Sequence, residues 1–332
     1  MNMVTRDSTL FLVWGPPSHG PRSKVFGRVL GIDVEFVEGS RRRGLLAAPL
    51  KYPIQLAKTI RLLRRRRPRL VFVQSPPSFA PLVVWAMASI LRMRFVIDAH
   101  SDAFQSVYWT RPAWLYRRLA RAALATIVTN EHFAEDLRRH GAEALVLRDI
   151  PTEFPEGGTY SFPDGFNVAV VSTFADDEPT EEVLATAAAL PEVTFHITGD
   201  AGRADQGLVG GAAANVRFTG FLRDEDYYQL LRGADAVMCL TTRNHTMQRG
   251  ACEALSLGRP IITSDWPLLK DYFHEGTVHV DNTAHGIRIG VEDLRINHGR
   301  YLDGIRDLKS AQEDEWEMAF SMLSGLIEGE DR

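Results

Sequence analysis

Apolar and polar positions follow two periods that alternate along the chain. Short runs of β-branched and other apolar residues predict strands, and longer runs with an apolar residue every three or four positions predict helices. Several predicted strands are apolar throughout, which favours a parallel sheet covered on both faces. The predicted strands are Thr9–Val13, Asp33–Val37, Leu70–Gln74, Arg94–Asp98, Ala125–Thr129, Ala144–Leu147, Asn167–Ser172, Val193–Thr198, Val216–Thr219, Ala236–Leu240 and Pro260–Thr263. The predicted helices are Ile54–Arg66, Pro81–Leu91, Pro112–Ala123, Glu131–His140, Thr180–Leu190, Asp224–Arg232, Met247–Leu257 and Arg300–Ile327.

One segment interrupts this alternation. Residues 151–166, PTEFPEGGTYSFPDGF, contain three prolines and three glycines without periodicity, which is typical of a linker. Strands alternating with helices on both sides of it indicate α/β domains of the doubly wound, Rossmann-like type. We therefore predict an N-terminal domain over residues 1–152, a linker over 153–166, a second domain over 167–300 and a C-terminal helix over 301–332.

Charge is divided unequally between the two halves. The 332 residues carry 38 Lys and Arg against 42 Asp and Glu. Residues 1–150 hold 24 basic and 11 acidic side chains, a net charge of +13, whereas residues 151–332 have a net charge of −17. The basic half is therefore expected to face an anionic partner: a nucleic acid, a phospholipid surface or a phosphorylated substrate.

The cysteines and the apolar stretches exclude other classes. Two cysteines cannot form a disulfide framework, and no Cys/His cluster has zinc spacing, so no structural metal is expected. The longest uncharged apolar stretch, Phe79–Leu91, is interrupted by Pro81 and is shorter than the roughly 20 residues that span a bilayer. We therefore predict a cytoplasmic protein that does not cross the membrane.

Two arginine clusters stand out in the basic half. Arg41–Arg43 and Arg64–Arg67 flank a segment with apolar residues at helical spacing, which favours a patch on an anionic membrane surface. The alternatives are a solvated helix end, where arginine suits the helix dipole, and a nucleic-acid surface, which no known motif supports. The side chains predicted to face the membrane are Arg42, Arg64, Arg65 and Arg66.

Four segments together resemble a known family. They read VFVQSPPSFAPLVVWAMASILRMRFVIDAHS (71–101), VVSTFADDEPTEEVLATA (170–187), FTGFLRDEDYYQLLRGADAVMCL (218–240) and EALSLGRPIITSD (253–265). The first resembles the chitobiosyl-diphosphodolichol β-mannosyltransferases and related bacterial glycosyltransferases, and the others resemble the nucleotide-binding domain of GT-B glycosyltransferases. The resemblance implies a GT-B fold, with the acceptor on the first domain and the nucleotide sugar on the second.

The chain departs from that pattern at two places. Many retaining GT-B enzymes carry two glutamates separated by seven residues; Glu253 matches the second, but His245 stands at the first. The turn after the first strand of the second domain is acidic, at Asp176, Asp177 and Glu178, where an Arg/Lys pair usually holds the donor phosphates. We expect an inverting enzyme, with Arg243 and Arg249 replacing the missing pair.

Candidate site residues in the first domain follow predicted strands, where ligands of doubly wound domains bind. The loop after the first strand contains Gly20 and Arg22, which suit an anionic donor group, although a plain strand-to-helix turn would also read this way. His100, with Asp102 close behind, could orient the acceptor hydroxyl or take its proton. A lone histidine is more often structural, and a loop carboxylate is often only solvated.

Candidate donor-binding residues in the second domain lie in three segments. Backbone N–H groups at the start of the predicted helix near Met247 suit phosphates, and Glu253 is expected to contact the ribose. The alternative for Glu253 is a helix-surface carboxylate, but its neighbours are apolar, so it needs a buried partner. The predicted donor-binding residues here are Ser172, Thr173, Thr241, Arg243, Asn244, His245, Arg249 and Glu253.

The predicted function is a glycosyltransferase of polysaccharide biosynthesis. It would move a hexose from GDP-mannose or a UDP-sugar, without a metal or another cofactor, to a lipid-linked or polyprenyl-phosphate glycan at the cytoplasmic face of the membrane. The alternative is a non-catalytic nucleotide-sugar-binding or scaffold protein of the same fold, which the replacement at His245 would suit. A sugar-nucleotide epimerase would need no lipid surface, so the charge of the first domain disfavours it.

Overall fold

A computed structural model of the chain describes residues 8–17, 21–39, 48–106, 111–148, 154 and 160–329. Two compact units result: residues 1–150 with 315–332, and residues 151–314. Each unit contains one six-stranded parallel sheet with helices packed against it. The predicted doubly wound α/β architecture is therefore confirmed.

The elements are numbered in chain order. The strands are β1 Thr9–Val13, β2 Asp33–Phe36, β3 Leu70–Ser75, β4 Arg94–Ala99, β5 Ala125–Val128, β6 Ala144–Val146, β7 Phe166–Val170, β8 Val193–Thr198, β9 Val216–Gly220, β10 Ala236–Cys239, β11 Ile261–Ser264 and β12 Thr277–Val280. The α-helices are α1 Pro21–Leu30, α2 Ala48–Arg66, α3 Phe79–Leu91, α4 Asp102–Gln105, α5 Ala113–Ala122, α6 Glu131–Arg139, α7 Thr180–Ala189, α8 Gln206–Gly210, α9 Asp224–Gly233, α10 Arg249–Ser256, α11 Pro267–Tyr272, α12 Ala284–Ile296 and α13 His298–Gly329.

The sheet of the first unit has the order β2-β1-β3-β4-β5-β6. All residues of β1 and β3 are buried, because helices cover both faces of these central strands. Phe11 of β1 stacks on Phe72 of β3, with ring centres 5.7 Å apart. The end of α13 completes this core, where Leu323 and Ile327 are fully buried in the same cluster.

The sheet of the second unit has the order β12-β11-β10-β7-β8-β9. Its central strand β7 pairs with β8 on one side and with β10 on the other. The turn after β8 passes close to the end of β7: a Cβ on Gly199, whose φ is 91°, would lie 2.3 Å from the Ser172 carbonyl oxygen. Only glycine fits this crossing, so the loops after β7 and β8 meet.

The predicted strands are found with ends shifted by at most two residues, while several other elements were not predicted. The strand Thr277–Val280 lies at the sheet edge and is mostly half-buried, so it lacks the apolar run of the inner strands. The helix Ala284–Ile296 was also missed. The helix predicted from Ile54 begins at Ala48, with Pro53 inside it.

Candidate functional site

The second unit contains a pocket of about 390 Å³ at the carboxyl edge of its sheet. The segments after β7, β8 and β9 form its wall, together with α9 and the first turns of α10. Strand order reverses at β7, and doubly wound proteins bind ligands outside the carboxyl ends of strands at such a reversal. Among the lining residues are Ser172, Thr173, Asp200, Phe221, Tyr227, Tyr228, Arg249 and Glu253.

Glu253 is the buried carboxylate of this pocket, with 7% of its surface exposed. The Tyr227 hydroxyl donates a hydrogen bond of 2.6 Å to its Oε2, and Arg249 Nε donates one of 2.8 Å to its Oε1. Burial, followed by the charge of Glu253, raises the pKa of Tyr227 well above its usual value, so the phenol stays a donor. A carboxylate can accept about four hydrogen bonds, so Glu253 retains capacity for a ligand.

The helix that carries Glu253 packs closely against the sheet. A Cβ on Gly250 would lie 2.7 Å from Cys239 Sγ and 2.8 Å from Val171 Cγ1, so the first turn of α10 needs a glycine there. No side chain caps the N-terminus of α10. Its first N–H groups carry the positive end of the helix dipole beside the pocket, which suits an anion.

The loop after β7 is closed by a carboxylate of its own. Glu178 accepts hydrogen bonds from the backbone N–H groups of Thr173 and Phe174 at 3.0 and 2.9 Å. The hydroxyls of Ser172 and Thr173 donate to the same carboxylate at 2.5 and 2.8 Å. We call this arrangement the Glu178 nest. It explains the acidic turn, because Glu178 occupies the donors that could otherwise hold a phosphate.

The neighbouring carboxylate fixes the loop after β10. Asp177 Oδ2 accepts a hydrogen bond of 2.7 Å from the buried Thr241 hydroxyl, and its carbonyl accepts one from the Thr242 N–H. Arg243 Nη2 lies 3.6 Å from Asp177 Oδ1. Part of the Arg243 charge is therefore neutralised inside the unit, and Thr241 acts as a structural tie between two loops.

In the first unit, Arg22, Asp98 and His100 form a cluster at the carboxyl ends of β1 and β4. The fully buried Asp98 lies 3.5 Å from Arg22 Nε and 3.3 Å from His100 Nε2. Arg22 also donates a hydrogen bond of 2.7 Å to the Leu147 carbonyl. Burial alone would raise the pKa of Asp98, but Arg22 and the hydrogen bond with His100 hold it below its usual value. Asp98 therefore stays ionised and orients both side chains.

Comparison with known families decides the assignment. Residues 7–152 match the family described as Glycosyl transferase 4-like domain, and residues 171–293 match Glycosyl transferases group 1. The two matches together cover most of the chain, which therefore belongs to the glycosyltransferases. The predicted glycosyltransferase family is thereby confirmed, while the narrower resemblance to the β-mannosyltransferases stays a prediction.

Solved structures of similar fold cover nearly the whole glycosyltransferase. Sucrose-phosphate synthase from Thermosynechococcus elongatus is 16% identical, with a TM-score of 0.71 over 96% of this chain and 98% of that one. HepE from Anabaena, solved with UDP and glucose, is 15% identical, with a TM-score of 0.70 over 97% and 99%. A glycosyltransferase from Rickettsia africae is 11% identical, with a TM-score of 0.65 over 95% and 98%. At these identities the likeness concerns the GT-B fold, and no curated protein sequence matches the chain.

The predicted donor-binding residues of this glycosyltransferase are not all brought together. Ser172, Thr173, Arg249 and Glu253 line the pocket, whereas Thr241 and Arg243 contact Asp177 instead. Asn244 and His245 form the following turn, in which the His245 N–H donates to Asn244 Oδ1 at 2.7 Å, and neither residue lines the pocket. Arg22 belongs to the cluster of the first unit, and Gly20 lies outside the described residues.

The remaining predicted residues belong to the first unit of the glycosyltransferase. Asp102 is the exposed first residue of α4. Arg64 and Arg65 are exposed near the end of α2, as a membrane-facing role requires. Arg66 instead lies 3.3 Å from Asp33 and 2.8 Å from Glu35, so these carboxylates partly neutralise it. Arg42 lies outside the described residues.

Three pocket features were missed by sequence reasoning. Tyr227 falls within the predicted helix Asp224–Arg232, and its spacing from Glu253 gives no signal that the two side chains meet. Phe221 is 91% exposed at the pocket wall, and a bulky apolar residue directly after the β9 glycine was the available signal. In the sequence Glu178 is one of three acidic turn residues, and only the structure shows that it accepts the hydrogen bonds of the loop after β7.

Metal and membrane features were also sought over the part of the chain that the structure describes. There, no three His, Cys, Asp or Glu side chains converge as a metal site would require. No helix in the described segments is both long and apolar enough to span a bilayer.

Proposed function

We propose that this glycosyltransferase transfers a hexose from GDP-mannose or a UDP-sugar to a lipid-linked glycan. The observation that carries the proposal is Glu253, a carboxylate held by Tyr227 and Arg249 in a pocket at the carboxyl edge of the second sheet. A ribose presents two vicinal hydroxyls, and a fixed carboxylate is a suitable acceptor for both. HepE, which has a similar fold, binds UDP and glucose, and this favours a nucleotide-sugar donor here too.

The other pocket groups suggest how the donor would lie. Phe221 offers an exposed ring on which a nucleobase can stack. The diphosphate would lie at the N-terminus of α10, beside the Arg249 guanidinium, since the N–H groups after β7 already hold Glu178. These protein groups would stabilise the leaving diphosphate without a metal ion.

The acceptor is proposed to bind the first unit, with His100 as the general base. Ionised Asp98 would hold the imidazole and stabilise the imidazolium that forms as the acceptor hydroxyl loses its proton. The acceptor hydroxyl oxygen would attack the anomeric carbon while the bond between that carbon and the diphosphate oxygen breaks. Such a single displacement inverts the anomeric configuration. This agrees with the histidine at position 245, where many retaining enzymes carry a glutamate.

The anomeric configuration of the product tests whether the reaction inverts the sugar. Group 1 glycosyltransferases are usually retaining, so the opposite outcome is a real alternative. NMR of the first product formed from an α-linked donor should show a β-linkage, and an α-linkage would remove His100 as a base in a single displacement.

The basic first unit supports an acceptor presented at an anionic membrane, on the cytoplasmic face where nucleotide sugars are made. The guanidinium groups of Arg64 and Arg65 are exposed and make no ion pair with any described carboxylate. Each such charge contributes about 1 kcal/mol near an anionic surface, and screening weakens the attraction as salt increases. Co-sedimentation with anionic vesicles should therefore fall between 0.1 and 1 M salt, and Arg64→Gln with Arg65→Gln should reduce it.

The decisive experiment combines binding with transfer. Calorimetry with UDP, GDP and ADP should identify one preferred nucleotide, and EDTA should leave its affinity within tenfold. Glu253→Gln should lower the affinity for that nucleotide by about tenfold or more, because hydrogen bonds to charged groups contribute about 1.5–3 kcal/mol. Glu181→Gln, an exposed glutamate on α7, is the matched control and should bind normally.

Transfer is then measured with the labelled sugar nucleotide and polyprenyl-phosphate glycans. Nucleotide binding without transfer to any of them would favour the non-catalytic alternative. Unchanged affinity in a folded Glu253→Gln variant would reject the proposed donor site.

A further inference from the structure

A second large cavity lies in the first unit and belongs to none of the groups described so far. It is a groove of about 720 Å³ between α2 and α3, and its lining is almost entirely apolar. Tyr52, Leu56 and Ile60 of α2 form one wall, and Phe79 and Ala86 of α3 form the other. The volume is within the range of about 300–1,000 Å³ that is typical of small-molecule sites.

Three aromatic rings, those of Trp14, Tyr52 and Phe79, form one end of this groove, which we call its aromatic end. Trp14 stacks on Tyr52 with ring centres 6.4 Å apart, and Tyr52 meets the edge of Phe79 at 5.1 Å. The Trp14 indole N–H donates to Thr59 Oγ1 at 2.8 Å, so the ring presents only carbon to the groove. Leu56 and Phe79 are 40% and 45% exposed at the wall, and contiguous exposed apolar surface of this kind marks a binding groove.

The groove begins at the same edge of the sheet as the proposed acceptor site. Trp14 directly follows β1, Phe79 follows β3 after a three-residue turn, and His100 directly follows β4. These three strands are parallel neighbours in the order β1-β3-β4, so their carboxyl ends lie side by side. Strand order reverses between β1 and β3, where doubly wound sheets accept ligands.

Positive charge is found at both ends of the groove. Lys51 lies at its aromatic end, with Nζ 5.7 Å from the centre of the Tyr52 ring, and no described carboxylate pairs with it. At the other end Arg64 follows Ile60 by four residues, so it continues the same stripe of α2. An apolar channel between cations suits an amphiphile with an anionic head, whereas an apolar peptide or a second copy of the chain would not require these charges.

We propose that this groove binds the hydrocarbon chain of a phosphate-bearing lipid, the anchor of the acceptor. The phosphate lies at the Lys51 end, and the chain runs along α2 towards Ile60 and the membrane-facing Arg64. This inference rests on the proposed lipid-linked acceptor and adds the site that holds its lipid part.

The test is calorimetric titration of the full chain, without donor, with decyl phosphate, hexyl phosphate and inorganic phosphate below their micellar concentrations. Each buried methylene strengthens binding about fourfold. Decyl phosphate, with four more methylenes, should therefore bind about 250-fold tighter than hexyl phosphate, and inorganic phosphate should give no measurable heat. Equal affinities for the two alkyl phosphates would overturn the proposal.

Variants locate the site. Ala86→Trp fills the groove from an exposed position of α3 and should lower the affinity for decyl phosphate at least tenfold. Ile90→Trp, on the same helix but outside the groove lining, is the control and should leave that affinity unchanged. If Ala86→Trp does not fold, Leu56→Gln replaces it. Unchanged binding in the folded variant, or a native dimer that Ala86→Trp dissociates, would show that the groove does not hold a lipid.

The two proposals fail differently. Sugar transfer to a lipid-linked glycan without decyl phosphate binding would reject only the lipid groove. Decyl phosphate binding with no transfer to any lipid-linked glycan would reject the proposed function and leave a lipid-binding site.

Discussion

The carboxylate of Glu178 accepts two hydrogen bonds from Thr173, one from the backbone N–H at 3.0 Å and one from the hydroxyl at 2.8 Å. This contact turns a loop suited to a phosphate into one that is filled by the protein itself. In the proposed donor site the diphosphate would therefore bind at the start of α10, and the loop after β7 forms part of the pocket wall.

Removing that carboxylate should destabilise the second unit. Glu178→Ala removes the charged acceptor of the Thr173 N–H and leaves the Phe174 N–H only the Ser172 hydroxyl, at a cost of about 1–3 kcal/mol. A loss of that size lowers the melting temperature by several degrees in a unit of this length. Differential scanning calorimetry of Glu178→Ala, with exposed Glu181→Ala as control, measures the difference, and equal melting temperatures would contradict the structural role of the Glu178 nest.

Replacing the exposed ring at the pocket wall should affect binding and leave stability unchanged. Because Phe221 is 91% exposed, Phe221→Ala removes almost no buried surface. Stacking of a base on an aromatic ring contributes about 1–3 kcal/mol, so the affinity for the preferred nucleotide should fall roughly 5- to 150-fold. Phe221→Tyr should retain it. If Phe221→Ala binds as tightly as the native chain in calorimetry, the base lies elsewhere.

His100→Ala should lower turnover far more than it lowers nucleotide affinity. A general base contributes about 10²–10⁴ in rate, and His100 belongs to the first unit, whereas the residues proposed to bind the donor belong to the second. His132→Ala, an exposed histidine at the start of α6, is the control. Turnover of His100→Ala near the native level, measured with saturating donor, would leave His100 a structural partner of Asp98.

Stability should depend on pH through a buried histidine of the second unit. His196 Nε2 lies 2.9 Å from Asn167 Oδ1 and Nδ1 lies 3.0 Å from the Tyr160 hydroxyl, which satisfies a neutral ring. Burial, and then the charge of Arg217, lowers the pKa of His196 from 6.5 to about 4. The unfolded chain therefore takes up a proton between these values while the folded chain does not, so stability falls as the pH falls from 6.5 towards 4.

The contribution at pH 5 is about 2 kcal/mol, from 1.36 kcal/mol per pH unit below 6.5. Urea denaturation at pH 7 and pH 5 measures it. His196→Gln should have a weaker pH dependence than the native chain, whereas His132→Gln should not differ from it. If the unfolding free energy of His196→Gln changes with pH as that of the native chain does, this histidine titrates normally in the folded state.

The amino-acid sequence alone determined the architecture. Apolar runs and helical periodicity reflect local burial, so β1 and β8 were predicted with their observed ends, and the Rossmann-like order followed from their alternation with helices. The same logic placed Glu253 on a helix with buried neighbours and therefore required a partner for it. The edge strand Thr277–Val280 was not predicted, because its mostly half-buried residues do not form a continuous apolar run.

Only the tertiary structure decided which side chains meet. Arg22 and Asp98 are 76 positions apart, and Tyr227 lies 26 positions before Glu253, yet each pair shares a contact because parallel strands bring their carboxyl ends to one edge. The sequence predicted Ser172 and Thr173 as donor ligands, but the hydroxyls of both residues donate to Glu178. Periodicity encodes which face of an element is buried; a hydrogen bond between loops depends on where whole strands lie in the sheet.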